Sequence, residues 1–143
     1  KVQMPREADK GAIGPISNAN QYAKVQDLIQ KGIDEGATLV AGGTGRPDGL
    51  DKGYFVKPTV FSGVSNDMTV AREEIFGPVA PLVRFTDEAQ AIQLANDTEF
   101  GLAAYFYTRD LGRAWRVAES LEYGIVGINE GLISNEMVKR FRL

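Results

Sequence analysis

Between residues 79 and 129 two hydrophobic periods take turns, and that alternation restricts the fold more than any other property of the chain. A strand is expected at 79–85, a helix at 87–96, a strand at 102–108, a helix at 110–123 and a strand at 125–129, with short joints between them. A helix that returns the chain to the start of the next strand leaves the strands parallel, the arrangement of right-handed βαβ units. The expected fold class is therefore α/β, a mostly parallel sheet with flanking helices. Its regular βαβαβ core lies at about 79–129, with all three strands in one sheet. On the second helix Leu111, Ala114, Trp115, Ala118 and Leu121 recur at helical spacing as an apolar stripe, which places Trp115 in the core. Arg109, Arg113, Arg116, Glu119 and Glu122 fall on its solvated face, and Gly124 ends it.

Upstream the pattern is less regular. Pro5, Gly11, Gly14 and Pro15 mark residues 1–17 as an irregular opening loop. From Asn18 an amphipathic helix is expected: Tyr22, Val25, Ile29, Gly32 and Ile33 share a face, Ser17 or Asn18 can cap the start, and Gly36 stands where the helix stops. A short strand, Thr38 to Ala41, follows. The run Gly42-Gly43-Thr44-Gly45-Arg46-Pro47-Asp48-Gly49 resembles a phosphate loop only superficially. It lacks the Gly-Lys-Ser/Thr ending, and Pro47 and Gly49 oppose a following helix, so a surface hairpin or Ω-type loop is expected. Tyr54 to Val64 is rich in aromatic and β-branched residues, but Pro58 reduces it to an edge strand or two short pieces.

Composition excludes several kinds of chemistry. A chain of 143 residues with 43% hydrophobic residues is one ordinary domain with a real core. A net charge of −3 argues against a nucleic-acid partner. No apolar stretch approaches membrane-spanning length and no signal peptide is recognisable, so neither a membrane partner nor export is expected, and a reducing, cytoplasmic location is the default. The chain has no Cys and no His. Thiolate catalysis, His general-base catalysis, Ser-His-Asp triads and Cys/His metal sites are thus excluded within it.

The densest chemistry lies in Glu73-Glu74-Ile75-Phe76-Gly77-Pro78-Val79. An ionised carboxylate can accept hydrogen bonds from two hydroxyls at once, a ring beside it keeps water away, and Gly-Pro bends the chain. On residues alone the same run reads as a solvated acidic turn with Phe76 as a core anchor. The whole segment, however, closely resembles the Glu-Glu-Ile-Phe-Gly-Pro-Val motif of the NAD(P)-dependent aldehyde dehydrogenases. The resemblance implies that Glu74 holds the ribose hydroxyls beside the nicotinamide of NAD or NADP, and that Phe76 packs against the same end of the cofactor.

Further segments carry the likeness across nearly all of residues 11–136. Tyr54-Phe55-Val56-Lys57-Pro58-Thr59-Val60 is similar to the family's strand entering that motif. Asn96-Asp97-Thr98-Glu99-Phe100-Gly101-Leu102-Ala103-Ala104 and Gly127-Ile128-Asn129 are similar to later family segments. The second half, including Glu130-Gly131-Leu132-Ile133-Ser134, resembles succinate-semialdehyde dehydrogenases. There the serine after Leu-Ile binds the distal carboxylate of the substrate with the help of arginines from elsewhere, a role that would fall to Ser134. Read without the family, Ser134 is a polar residue in a surface loop.

In the family the catalytic cysteine and the glutamate base lie upstream of this motif, as does the unit that holds the dinucleotide phosphates. The chain is therefore expected to be a downstream fragment of the catalytic domain of an aldehyde dehydrogenase. The whole enzyme would oxidise a small-molecule aldehyde, with succinate semialdehyde as a candidate; this chain alone would be inactive and its own cofactor binding doubtful. Met137-Val138-Lys139-Arg140-Phe141-Arg142-Leu143 departs from the family's continuation, which leaves family-style oligomerisation in doubt, while bare apolar surface makes self-association expected. The alternative is a stand-alone, non-catalytic α/β module with a binding or interaction role.

Overall fold

A computed structural model of the chain describes residues 13–131, which fall into two compact units divided between Arg84 and Phe85. Ser134 and the stretch 137–143 lie outside the described residues.

The first unit is built on a long amphipathic helix, α1 (Ala19–Asp34). Asn18 caps it as expected, its side chain accepting from the Gln21 amide at 2.9 Å, a contact that contributes about 1 kcal/mol. Val25, Leu28, Ile29 and Gly32 form its buried face. Two strands follow, β1 (Thr38–Ala41) and β2 (Thr59–Val64), then a single helical turn, α2 (Thr69–Arg72), and strand β3 (Val79–Val83). The sheet order is β1-β2-β3, with β1 antiparallel and β3 parallel to β2. Phe61, Ile29, Val25, Val56 and Val70 are almost wholly enclosed at its centre.

The Gly-rich stretch after β1 is a surface connection, as expected. Its amides are already used inside the unit: Gly43 N–H donates to Thr59 Oγ1 at 3.1 Å and Gly45 N–H to Gln26 Oε1 at 2.6 Å. Donors spent in this way are not turned towards a phosphate.

Two expectations for this region are corrected. The run containing Pro58 gives neither an edge strand nor two pieces: β2 begins at Thr59, immediately after the proline, and is the central strand. Pro58 therefore occupies no ladder position, and the proline within the sheet is Pro81, on the β3 edge, where a missing N–H is tolerated. Second, the strand at 79–85 does not join those at 102–108 and 125–129. β3 pairs with β2, in the register Thr59↔Val79 to Phe61↔Pro81. Periodicity identifies a strand but says nothing about its neighbour. Between Phe61 and Val64 the register shifts, with Gly63 at φ +66°, so a bulge in the left-handed region returns Val64 to the buried side.

The second unit contains α3 (Glu88–Asn96), β4 (Ala103–Phe106), α4 (Leu111–Ser120) and β5 (Ile125–Ile128). β4 and β5 run parallel in register from Ala103↔Ile125 to Phe106↔Ile128, so β4-α4-β5 is a true βαβ unit. Asp87 and Asp110 cap the two helices by accepting from the Gln90 and Arg113 amides. Glu88 receives Arg113 Nε at 2.7 Å and Arg116 Nε at 3.1 Å, tying the helices together; two of the three arginines assigned to a merely solvated face are thus partnered. Asn96 bridges the helix ends, donating to Ser120 O and accepting from Glu122 N–H.

Trp115 is not core. It is 65% exposed and Leu111 74%, while Val117 is the buried residue of α4. The helix carries more apolar surface than a two-stranded sheet can cover. Among the described residues no helix is long and apolar enough to cross a membrane.

Candidate functional site

The Glu73–Val79 segment runs from Glu73, the C-cap of α2, into β3, entirely within the first unit. Its position is set by what comes before and after. α2 is too short to hold itself, and its N-cap Met68 offers no side-chain acceptor. Glu35, at the end of α1, takes that place: its Oε2 accepts the Thr69 amide at 2.7 Å and its Oε1 the Thr69 hydroxyl. At the other end, Pro78 O accepts the Thr59 amide at 2.8 Å, which begins the β2–β3 ladder.

Between these anchors Ile75 is buried in the core, whereas Glu74 and Phe76 are exposed. Phe76 is therefore not a core anchor. Its ring is 71% exposed, and its backbone lies at φ +51°, a left-handed conformation that side chains seldom adopt. Gly77 explains the tight approach: a Cβ there would lie 2.8 Å from Val25 Cγ2 and 3.0 Å from Cγ1. Only glycine lets the turn sit down on α1.

Glu74 and Phe76 together border a shallow depression of about 330 Å³, which Glu73, Ile75, Gly77 and Pro81 also line. Phe76 also borders a second depression, with Pro15, Ile16, Ser17 and Gln21. The two neighbouring carboxylates differ. Lys24 Nζ stands 4.0 Å from Glu73 Oε2, while the Glu74 carboxylate has no hydrogen-bond or ion-pair partner among the described residues. An exposed anion beside an exposed ring, at the mouth of a depression, can accept hydroxyl donors under partial shelter from water.

Two residues of this arrangement carry no signal in the sequence. Gln21 Nε2 donates to Ile75 O at 2.8 Å and to Phe76 O at 3.4 Å, and Lys24 Nζ donates to Glu74 O at 3.1 Å. On an amphipathic helix they look like ordinary solvated positions. Their spacing of three, which puts both on one face, is the only hint. Among the described residues no group of acidic side chains is placed to hold a metal ion.

The sequence pattern of the aldehyde dehydrogenase family matches residues 1–141. A succinate semialdehyde dehydrogenase from Acinetobacter baylyi is 54% identical over 125 residues, covering 87% of this chain and 25% of that protein. The crystal structure of succinate-semialdehyde dehydrogenase from Burkholderia pseudomallei superimposes with a TM-score of 0.82 at 53% identity, over 94% of this chain and 28% of that one. The aldehyde dehydrogenase of Mycobacterium tuberculosis, solved with NAD+, gives a TM-score of 0.82 at 45% identity, over 88% of this chain and 26% of that one. The chain thus spans about a quarter of the length of the relatives it matches. On the match to the family pattern and on the shared fold, the chain belongs to the aldehyde dehydrogenase family.

Proposed function

We propose that this chain supplies the nicotinamide-ribose end of a cofactor site in an enzyme that oxidises an aldehyde to a carboxylic acid. The observation that carries this reading is the exposed Glu74 carboxylate, without a partner among the described residues, beside the exposed Phe76 ring on a turn anchored to α1. The residues present fit one end of a dinucleotide. Two carboxylate oxygens can accept both hydroxyls of a ribose, and the open depression beside them leaves room for a planar ring. NAD or NADP, when bound, accepts the hydride from the substrate. Glu74 orients the ribose, and Phe76 excludes water from those hydrogen bonds. The two cofactors differ at the adenosine ribose, so Glu74 serves either.

Ser134 is proposed to donate one hydrogen bond to the distal carboxylate of the substrate. The names of the relatives from Acinetobacter baylyi and Burkholderia pseudomallei favour succinate semialdehyde. A hydroxyl does not neutralise a carboxylate, so arginines from elsewhere must complete that selectivity. The thiolate must also come from elsewhere, since the chain contains no Cys. The site would operate in the cytoplasm, and the 143-residue chain by itself would not oxidise aldehydes.

The test replaces the matching quarter of the Acinetobacter baylyi enzyme with this chain and compares Glu74 with Glu74→Gln. Glutamine keeps the shape but removes the charge that strengthens the bonds to ribose. Pre-steady-state hydride transfer should fall about tenfold, while the melting temperature hardly moves because Glu74 is exposed. Unchanged transfer overturns the assignment.

A further inference from the structure

Three consecutive carbonyls, those of Glu74, Ile75 and Phe76, all accept hydrogen bonds from side chains of α1. Lys24 holds the first, and Gln21 holds the second and the third. We propose that Gln21 and Lys24 are positioning residues which select the left-handed Phe76 turn, and so set the direction in which the Glu74 carboxylate and the Phe76 ring are presented. The proposal rests on the cofactor reading above for its functional meaning, but its structural content stands apart from it.

The physical case has three parts. A phenylalanine at φ +51° is held against its intrinsic preference, so something outside the residue must favour that state. The ring contributes little, being 71% exposed. What remains are the burial of Ile75, the Gly77 contact with Val25 and the carbonyl bonds from α1, and among the described residues the last of these act directly on the two peptide groups that flank Phe76. Peptide carbonyls turn with φ and ψ, so fixing three in a row fixes the path between them. The donors come from a capped helix in which Gln21 lies one turn before Val25 on the buried face and Lys24 at the edge of that face, so they are themselves well located.

Lys24 has a second effect. Its ammonium also lies 4.0 Å from Glu73 Oε2, so it pairs with the first carboxylate, while among the described residues no cation pairs with the second. A ligand hydroxyl then meets Glu74 without competition from an internal ion pair.

The test uses the 143-residue chain and three variants. Gln21→Glu keeps the length of the side chain but lacks the donor. Lys24→Met also lacks it, whereas Lys24→Arg retains one. A residue at positive φ has a short distance between its own amide proton and Hα, visible as a strong intraresidue cross-peak in NMR. We expect that peak of Phe76 to weaken in Gln21→Glu and Lys24→Met, and to persist in Lys24→Arg. Order parameters of the 74–77 amides should fall in the first two, with the midpoint of global unfolding unchanged. An unaltered Phe76 peak in Gln21→Glu, or order parameters that fall uniformly across the first unit, overturns the proposal.

In the grafted enzyme, Gln21→Glu should lower kcat while leaving KM for the aldehyde in place. If Glu74→Gln impairs hydride transfer but Gln21→Glu leaves the Phe76 turn intact, positioning fails alone. If the turn loosens but Glu74→Gln has no kinetic effect, the cofactor reading fails and the structural result stands.

Discussion

The two units of this chain solve the same packing problem to different degrees. In the first, Val25, Ile29 and Phe61 are completely enclosed, at 0% exposure. In the second, the best-enclosed apolar side chain among the described residues is Val117 at 9%, while Trp115, Leu111 and Leu102 stand largely in the open. The reason is architectural. The first unit sets a long helix and a helical turn on a mixed three-stranded sheet, with β2 covered along both edges. Among the described residues the second offers its two helices a pair of strands, and depressions of about 520 and 590 Å³ remain along α4. An amphipathic helix indicates how much cover its sequence requires, not how much it receives.

The sharpest way to break this comparison is to truncate the best-buried residue on each side. Phe61→Ala should destabilise the first unit by about 3–5 kcal/mol, the usual cost of deleting an enclosed ring. Val117→Ala should cost the second only about 1–2 kcal/mol, since two methylene equivalents are lost from a site that can already relax. Denaturant midpoints and exchange mapped to each unit would measure both. Equal effects would show that the second unit is as well closed as the first.

Helix caps should be smaller and more nearly matched. Asn18→Ala and Asp110→Ala each remove one side-chain acceptor from a helix start, for about 1 kcal/mol apiece. A similar loss in both, measured by the same unfolding experiment, would place the difference between the units in burial and not in helix strength.

A pH series sharpens the comparison further. Hydrogen bonds from Arg116 and then Arg113 hold the Glu88 carboxyl below the usual range. Its contribution is therefore present above the unfolded pKa and is lost as pH falls through the lower, folded value. Protection against exchange across α3 and α4, taken relative to the intrinsic rate at each pH, should fall in acid, and Glu88→Gln should remove that part of the dependence. The pairing is solvated, so the effect is small.

The smallest change in stability is expected for Trp115→Ser, because an exposed ring adds little to folding. Its effect should appear in association instead. If the uncovered face of α4 drives self-association, sedimentation velocity will show less of it in the variant; an unchanged distribution assigns association to another surface.

Local structure was largely legible in the sequence because its causes are local. Asn18, Asp87 and Asp110 announce helix starts through a side chain that reaches only three residues ahead, and helical spacing found the α1 face that packs. What could not be read was pairing. Nothing in residues 79–83 states that their partner is 59–61 and not 103–106, because strand neighbours are chosen by the whole core. Pro58 was misjudged for a related reason: a proline is harmless one residue before a ladder, and that offset depends on where pairing begins. At the candidate site, Glu74 and Phe76 were visible through a motif. Gln21 was not, because it acts on carbonyls more than fifty positions away through a side chain any solvated helix could carry.

The bond from Glu35 to Thr69 has a consequence in time. α2 is a single turn whose first amide is satisfied by a residue 34 positions earlier in the chain. A turn this short does not nucleate alone, so it must wait until α1 has formed and the sheet has brought the two segments together. The carbonyl contacts from α1 to the segment beyond it wait on the same event. The turn bearing Glu74 and Phe76 is thus assembled among the last parts of its unit, and a folding intermediate with α1 and the β1–β2 hairpin already in place would still lack it. Refolding followed at Phe76 should lag behind refolding followed at Phe61.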